Sequence, residues 1–214
     1  MDAPGTLVSV NVGRTRTVPR PPSGRRMVRT AYWKAPVEGR VAVRGVNVEG
    51  DEQADRKLHG GPDKAVYAYA LEETRAWEAE TGVELGPGGM GENLTIEGLD
   101  VSGAVVGERW AIGSVLLEVV QPRLPCFKLN MRMGDRGFSK RFIAAGRPGA
   151  YLRIVEEGEL GAGDAVEVVR RPDHDVTMRL MMHAALVDRD RLPELLAAPE
   201  LILAWQEMIE ERAA

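Results

Sequence analysis

The chain predicts a mainly β domain with a few helices, followed by a small three-helix domain. Three observations carry this. Short apolar segments recur between glycine turns at Gly98, Gly103, Gly107 and Gly113, the punctuation of a barrel or sandwich rather than of a βαβ array. Valine-rich alternation dominates the first 170 or so positions, with two helical patterns embedded in it. Beyond Pro172 the pattern changes to three short helical segments. The predicted boundaries are 1–172 for the β domain and 173–214 for the helical one.

The elements follow in order. Leu7 to Val12 alternates and reads as a first strand. Arg20 to Gly24 is a loop, Met27 to Trp33 a second strand, and Pro36 and Gly39 mark a turn. Arg40 to Val48 carries strand-forming valines, and the polar stretch Glu49 to Asp63 is a loop. Ala65 to Tyr69 is a compact strand, and Leu71 to Thr81 is rich in helix formers and stops at Gly82. Gly86 to Asn93 is glycine-dense. Leu94 to Ile96, Val105 to Ile112 and Val115 to Val120 are strands, Phe138 to Ala145 is a helix ending at Gly146, and Ala150 to Glu156 and Ala165 to Val169 close the β part. Asp175 or Thr177 caps a helix through Leu186, Arg191 to Ala198 forms a second, and Glu200 to Arg212 a third.

Composition excludes several classes. The single cysteine among 214 residues cannot close an intrachain disulfide or hold a multi-cysteine zinc or iron–sulfur site. No run approaches the ~18 apolar residues of a membrane helix, and the N-terminus lacks the layout of a secretory signal, so a cytoplasmic location without membrane attachment is expected. The net charge of −4 conceals two basic segments: seven cations and no acid between Gly13 and Lys34, and seven cations against Asp135 alone between Val120 and Arg147. These suggest a local anionic ligand, with solvated arginine-rich loops as the alternative, above all for the first segment. Nucleic acid is disfavoured, since aromatics are only 5% and show no stacking pattern, and the helical tail carries nine acids against four bases.

Three stretches carry chemistry. In Gln121-Pro122-Arg123-Leu124-Pro125-Cys126-Phe127-Lys128-Leu129-Asn130 the lone thiol follows a strand, in a loop stiffened by two prolines. A single cysteine is usually a small buried hydrophobe, but Arg123 and Lys128 flank this one, and neighbouring cations favour the thiolate that attacks or binds metal. In Gly50 to Lys64, the pair Gly60 and Gly61 allows a tight turn, and His59 and Lys64 supply donors suited to phosphate or a metal-bound oxygen. Gly88-Gly89-Met90-Gly91-Glu92-Asn93-Leu94 fits neither a P-loop nor a dinucleotide fingerprint and presents Asn93 on a turn.

Together, Gly50–Asp55, His59–Lys64, Gly91–Leu94 and Gln121–Asn130 resemble the fingerprint of the MOSC family, named for the C-terminal domain of molybdenum-cofactor sulfurase, and most closely its bacterial hydroxylaminopurine-resistance branch. The resemblance spans nearly the whole chain, and the helical tail matches the small three-helix domain of that branch. The arginine-rich segment Arg14–Arg26 has no counterpart in the fingerprint.

The resemblance implies a β-barrel core that binds a pyranopterin molybdenum cofactor, with Cys126 as the metal's thiolate ligand. It assigns His59, Gly60, Gly61, Lys64 and Asn93 to the cofactor pocket, and Arg123, Lys128 and Asn130 to anchoring beside the metal. Charge adds Lys34, Arg29 and Arg40 as phosphate contacts, and Asp51 and Asp55 as loop-ordering partners. The implied activity is reduction of N-hydroxylated compounds such as 6-N-hydroxylaminopurine to amines, with His59 or Asp55 as proton donor and a separate flavoprotein reductase as electron source. A homodimer is compatible with the sequence, which does not fix the oligomeric state. Two other readings stand beside it: a sulfur carrier holding a persulfide on Cys126, and a binding module whose helical tail docks a partner.

Overall fold

The computed structural model describes residues 3–20, 25–54 and 60–213, with the side chains of 212 and 213 left aside. In chain order the strands are β1 (Gly5–Val12), β2 (Arg16–Arg20), β3 (Arg26–Thr30), β4 (Ala35–Val37), β5 (Arg40–Arg44), β6 (Asn47–Val48), β7 (Val66–Ala70), β8 (Leu94–Glu97), β9 (Arg109–Ile112), β10 (Val115–Gln121), β11 (Ala150–Glu156), β12 (Gly158–Gly161) and β13 (Ala165–Arg170). The helices are α1 (Leu71–Thr81), α2 (Phe127–Met133), α3 (Phe138–Ala145), α4 (Met178–Leu186) and α5 (Leu203–Ala213), with 3-10 turns at Pro62–Lys64, Val101–Gly103 and Arg189–Ala197.

Seven strands close a barrel in the order β13-β9-β10-β11-β7-β8-β1, because β1 also pairs with β13 through Gly5↔Val166 and Thr6↔Ala165. Closure removes the open edges that an extended sheet would leave to aggregate. All these pairs are antiparallel except β7 with β8, which α1 and the glycine-dense loop connect. β4 extends the sheet beyond β1, β12-β5-β6 form a small second sheet, and β2 and β3 form a separate hairpin.

Alternation explains the barrel interior. In β10, Val115, Leu117 and Val119 are buried, while the intervening Glu118 accepts from Arg109 at 2.9 Å. Leu7, Val66, Leu94, Ile96, Trp110, Ile112 and Leu152 complete that interior. Met178, Met181, Leu195, Trp205 and Ile209 from the C-terminal helices belong to the same apolar cluster, so the tail packs on the barrel without a separate core. A second, aromatic cluster gathers Trp77, Phe138, Phe142, Tyr69 and Tyr32, with the Trp77 and Phe138 rings edge to face at 4.8 Å.

Several predicted boundaries differ from those observed. The segment after Cys126 forms α2 instead of continuing as a loop; Cys126 is its N-cap without a side-chain cap bond, so the sequence shows no capping signal. The arginine-rich segment supplies β2, pairing Arg16↔Thr30 through Arg20↔Arg26. The predicted Val105–Ile112 strand begins only at Arg109, after a 3-10 turn. In the tail, Thr177 caps α4 by accepting from the Leu180 N–H at 3.1 Å, but the second segment is a 3-10 stretch with Pro193 inside it. Proline has no N–H to continue an α-helical ladder. No described helix is long and apolar enough to cross a membrane.

One half-buried carboxylate is expected to give the fold a pH response. Glu73 of α1 accepts from the Ser102 hydroxyl at 2.8 Å and lies 3.5 Å from Arg179 of α4. Burial raises its pKa to about 7, with the Ser102 bond and Arg179 opposing. A folded pKa above the unfolded value means that this stabilising contribution is complete below the unfolded pKa and is lost as pH rises through about 7. Thermal melts of wild type and Glu73→Gln should therefore diverge between about pH 5 and about pH 8, the variant becoming the more stable by roughly 1–3 kcal/mol at the alkaline end. Parallel pH profiles for the two proteins would show that Glu73 does not titrate in this range.

Candidate functional site

A cleft beside the barrel is lined by Tyr32 and Lys34, Asp51 to Ala54, Lys64, Ala65 and Tyr67, Gly91 and Asn93, Arg123, Cys126, Lys128 and Tyr151, among others. It thus joins all three sequence stretches singled out for chemistry. The end of β10 and its proline loop deliver Arg123 and Cys126, and the thiol is half-buried at the start of α2. The turn bearing Gly60 and Gly61 is fastened nearby: the Gln121 amide donates to the Asp63 carbonyl at 3.2 Å, and the Gly61 N–H to Gln53 at 3.3 Å.

Asp51 organises the floor. Only 3% of its side chain is exposed, and it accepts from the Gly13 N–H at 2.7 Å and the Asn93 amide at 2.9 Å. It also accepts a short bond from the Lys34 ammonium. Burial pulls the Lys34 pKa down, while Asp51 and then Glu92 pull it up. Asn93 accepts from the Tyr67 N–H at 3.1 Å and donates to the Asn11 carbonyl at 3.2 Å as well as to Asp51. Its amide therefore ties β1, β7 and the Asp51 loop together, and reaches the cleft as a fastener.

Glu92 is fully buried and rigidifies the glycine-dense loop. It accepts from the N–H groups of Gly88 and Met90 at 2.7 and 3.0 Å and from the Thr95 hydroxyl at 2.8 Å. Burial raises its pKa, and these bonds hold the rise in check. Arg123, 6% exposed, donates to the Met90 carbonyl. Its guanidinium stands 4.9 Å from the Tyr32 ring centre and 5.2 Å from that of Tyr67, an arrangement in which ring faces help to stabilise the desolvated cation. Four cations (Lys34, Lys64, Arg123, Lys128) meet two carboxylates (Asp51, Glu52) among the described lining residues, so the cleft favours an anionic ligand.

The structure brings Lys34, Lys64, Asn93, Arg123, Cys126 and Lys128 to one cleft. Gly60 and Gly61 lie in the adjoining turn, and Asp55 and His59 fall outside the described residues. Three other expected contacts are not among the residues that line this cleft. Arg40 sits on β5 with Asp164, at 3.1 Å, and the Glu159 carbonyl, at 2.7 Å. Arg29 donates to Thr15 at 3.3 Å on the exposed hairpin. Asn130 closes the corner between α2 and α3, donating to the Arg136 carbonyl at 3.0 Å and accepting from the Ser139 N–H and hydroxyl, both at 2.7 Å. Charge or motif position suggests these three, and each has a local partner in the structure.

The basic segments are likewise partly structural. Arg132 donates to the Gly89 carbonyl at 3.2 Å, and Arg147 pairs with Glu80 at 2.8 Å. Sequence reasoning missed Tyr32, Tyr67, Tyr151 and Glu92. The strand pattern around Tyr67 carries no signal of a role in a site, and the glycine-rich motif singles out Asn93 and not its neighbour Glu92.

The MOSC domain family matches residues 55–167. The uncharacterised protein YflK of Bacillus subtilis is 32% identical over 81% of this chain and 77% of its own length. Protein YiiM of Escherichia coli is 31% identical over 86% of this chain and 84% of its own. A protein named Reductase from Gibberella moniliformis is 34% identical over 79% of this chain, a match that occupies 30% of the fungal protein. The crystal structure of YiiM from Geobacillus stearothermophilus superposes with a TM-score of 0.79 at 29% identity, covering 99% of this chain and 100% of that one.

The cleft's dependence on Asp51 is measurable. Asp51→Ala should lower stability in chemical denaturation by roughly 3–5 kcal/mol, because it leaves the Lys34 charge buried and unpaired. Adding Lys34→Met should recover much of that loss. Strictly additive losses would show that the two groups do not depend on each other.

Proposed function

This chain belongs to the MOSC domain family and is of the YiiM type, and from that premise we propose that it is a molybdenum-cofactor-dependent reductase of N-hydroxylated compounds, converting bases such as 6-N-hydroxylaminopurine to amines. The observation that carries the reading is the placement of the chain's single cysteine in a cleft whose described charged groups are mainly cationic. Among the described residues, no cluster of three or more His, Cys, Asp or Glu could hold a metal ion. A soft thiolate contributed singly suits a metal whose other ligands arrive with a cofactor.

The residues present fit such a group. Lys64, Arg123 and Lys128 supply charge for an anionic cofactor, and Lys34, held by Asp51, adds to the positive field behind them. Cys126 would be the protein's ligand to the metal, from its place at the head of α2 among the residues that line the cleft. The bound cofactor supplies the two-electron chemistry that turns an N–OH group into an amine with release of water. The chain's own part is to bind, orient and surround the reacting group. The proton donor proposed on sequence grounds is His59 or Asp55, and a separate flavoprotein reductase is the proposed source of electrons. The fungal relative named Reductase, more than twice as long as the matched region, supports a redox setting for this domain.

Protein isolated from a host that makes the molybdenum cofactor, supplied with an artificial electron donor, should convert 6-N-hydroxylaminopurine to adenine. Cys126→Ala should lower that rate by more than about 100-fold. An unchanged rate in the variant, or a metal-free wild type carrying a thiol-reducible adduct of about 32 Da on Cys126, would contradict the proposal, and the reducible adduct would favour sulfur carriage.

A further inference from the structure

The arginine hairpin, β2 and β3 with the residues that lead into it, carries more positive charge than its own packing uses. Arg14, Arg16, Arg26 and Arg29 are exposed, and among the described residues no carboxylate forms an ion pair with any of them or with Arg20. Glu52 stands at the base of the hairpin, accepting from the Thr15 N–H and hydroxyl at 2.7 and 2.6 Å, within electrostatic reach of Arg14 and Arg29. The register adds a cost, because Arg20 pairs directly with Arg26. Like charges directly opposite destabilise a strand pair, and a two-stranded hairpin is only marginally stable to begin with. Folding alone gives no reason for this excess of charge.

Two of the arginines fix where the hairpin sits. Arg16 lies 4.4 Å from the ring centre of Trp33, the residue between Tyr32 and Lys34 of the cleft, and Arg20 lies 4.3 Å from that of Phe127, the residue after Cys126. Strand alternation sends Thr17, Pro19, Met27 and Arg29 to the other side of the pair, where all four are exposed. Met27 is 57% exposed and Phe127 37%. A cationic surface with a small apolar patch therefore borders the stretch that carries the thiol, in a chain whose net charge is −4. None of the hairpin arginines is among the residues that line the cleft, so this charge addresses something outside it.

We propose that the hairpin is the docking surface for an acidic, flavin-bearing electron-donor protein, which it steers to the cleft beside Cys126. This rests on the reductase reading. Each turnover, R–NHOH with two electrons and two protons giving R–NH2 and water, draws its electrons from that partner, and a one-electron carrier docks twice. Brief electron-transfer encounters use small contacts, and complementary charge supplies their speed and orientation more than their affinity. A positive patch raises the encounter rate with an acidic partner and loses that advantage as salt screens it.

The test follows reduction of 6-N-hydroxylaminopurine by cofactor-loaded protein with two donors: reduced methyl viologen, and reduced flavodoxin, a small acidic FMN protein. At about 0.01 M salt the double variant Arg14→Glu/Arg26→Glu should lose about tenfold in kcat/KM for flavodoxin, mostly through KM, and at about 1 M salt the difference should shrink to about twofold or less. Its rate with methyl viologen should stay within about twofold of wild type. Its melting temperature should not fall, because Arg26→Glu sets an opposite charge across from Arg20. Equal losses with both donors, or a fall in molybdenum content, would overturn the docking surface and assign these arginines to cofactor binding. Unchanged flavodoxin kinetics in the variant, or a wild type active with methyl viologen that takes nothing from flavodoxin, would overturn it while leaving the reductase reading intact. Loaded wild type inactive with methyl viologen would sink the reductase reading and this inference with it.

Discussion

The buried carboxylate of Asp51 is the constraint on which the cleft depends. It ends the β5–β6 excursion, accepts from the start of the segment that leads into the arginine hairpin at Gly13, and holds Lys34 and Asn93 in place. A carboxylate removed from water requires partners on all sides, and those partners come from three separate regions of the chain. Their convergence fixes the cleft floor before any ligand arrives. The Lys34 charge is tolerated there only because Asp51 faces it.

Around that floor the scaffold divides its work. The closed barrel supplies a rigid interior of Leu7, Trp110, Ile112 and Leu117, and the C-terminal helices add Met181, Leu195 and Trp205 to the same packing. The aromatic cluster of Trp77, Phe138 and Phe142 lies beside α2 and steadies the helix that Cys126 begins. The arginine hairpin leans on the same region: Arg16 lies 4.4 Å from the Trp33 ring centre and Arg20 4.3 Å from that of Phe127, the residue after the thiol. Much of the positive charge that the sequence displays as two runs therefore serves packing, and a smaller share lines the cleft.

The parts of this arrangement legible in the sequence were those with local signals. The α1 and α3 spans follow from helix formers closed by Gly82 and Gly146, both in left-handed conformation. The strands β10 and β11 follow from apolar runs bounded by turns. What escaped had no local signal. α2 lacks a capping side chain, β2 is arginine-rich with a proline in it, and the tail's second segment takes 3-10 geometry around Pro193. At the site, motif order named Lys64, Asn93, Arg123, Cys126 and Lys128, and these five line one cleft. It could not show that Asn93 faces inward, that Asn130 closes a helix corner, or that Arg40 pairs with Asp164. Those outcomes depend on three-dimensional neighbours. Tyr32 and Glu92 were missed for the same reason: each acquires meaning only from burial.

The proposed chemistry rests on a single sulfur in a cleft whose described charged groups are mainly cationic, where it would complete the coordination of a metal carried by an anionic cofactor. X-ray absorption at the molybdenum edge tests this most directly, comparing loaded wild type with loaded Cys126→Ser. The account predicts that the variant's metal has one fewer sulfur neighbour than that of wild type. Identical sulfur shells in the two proteins would contradict it.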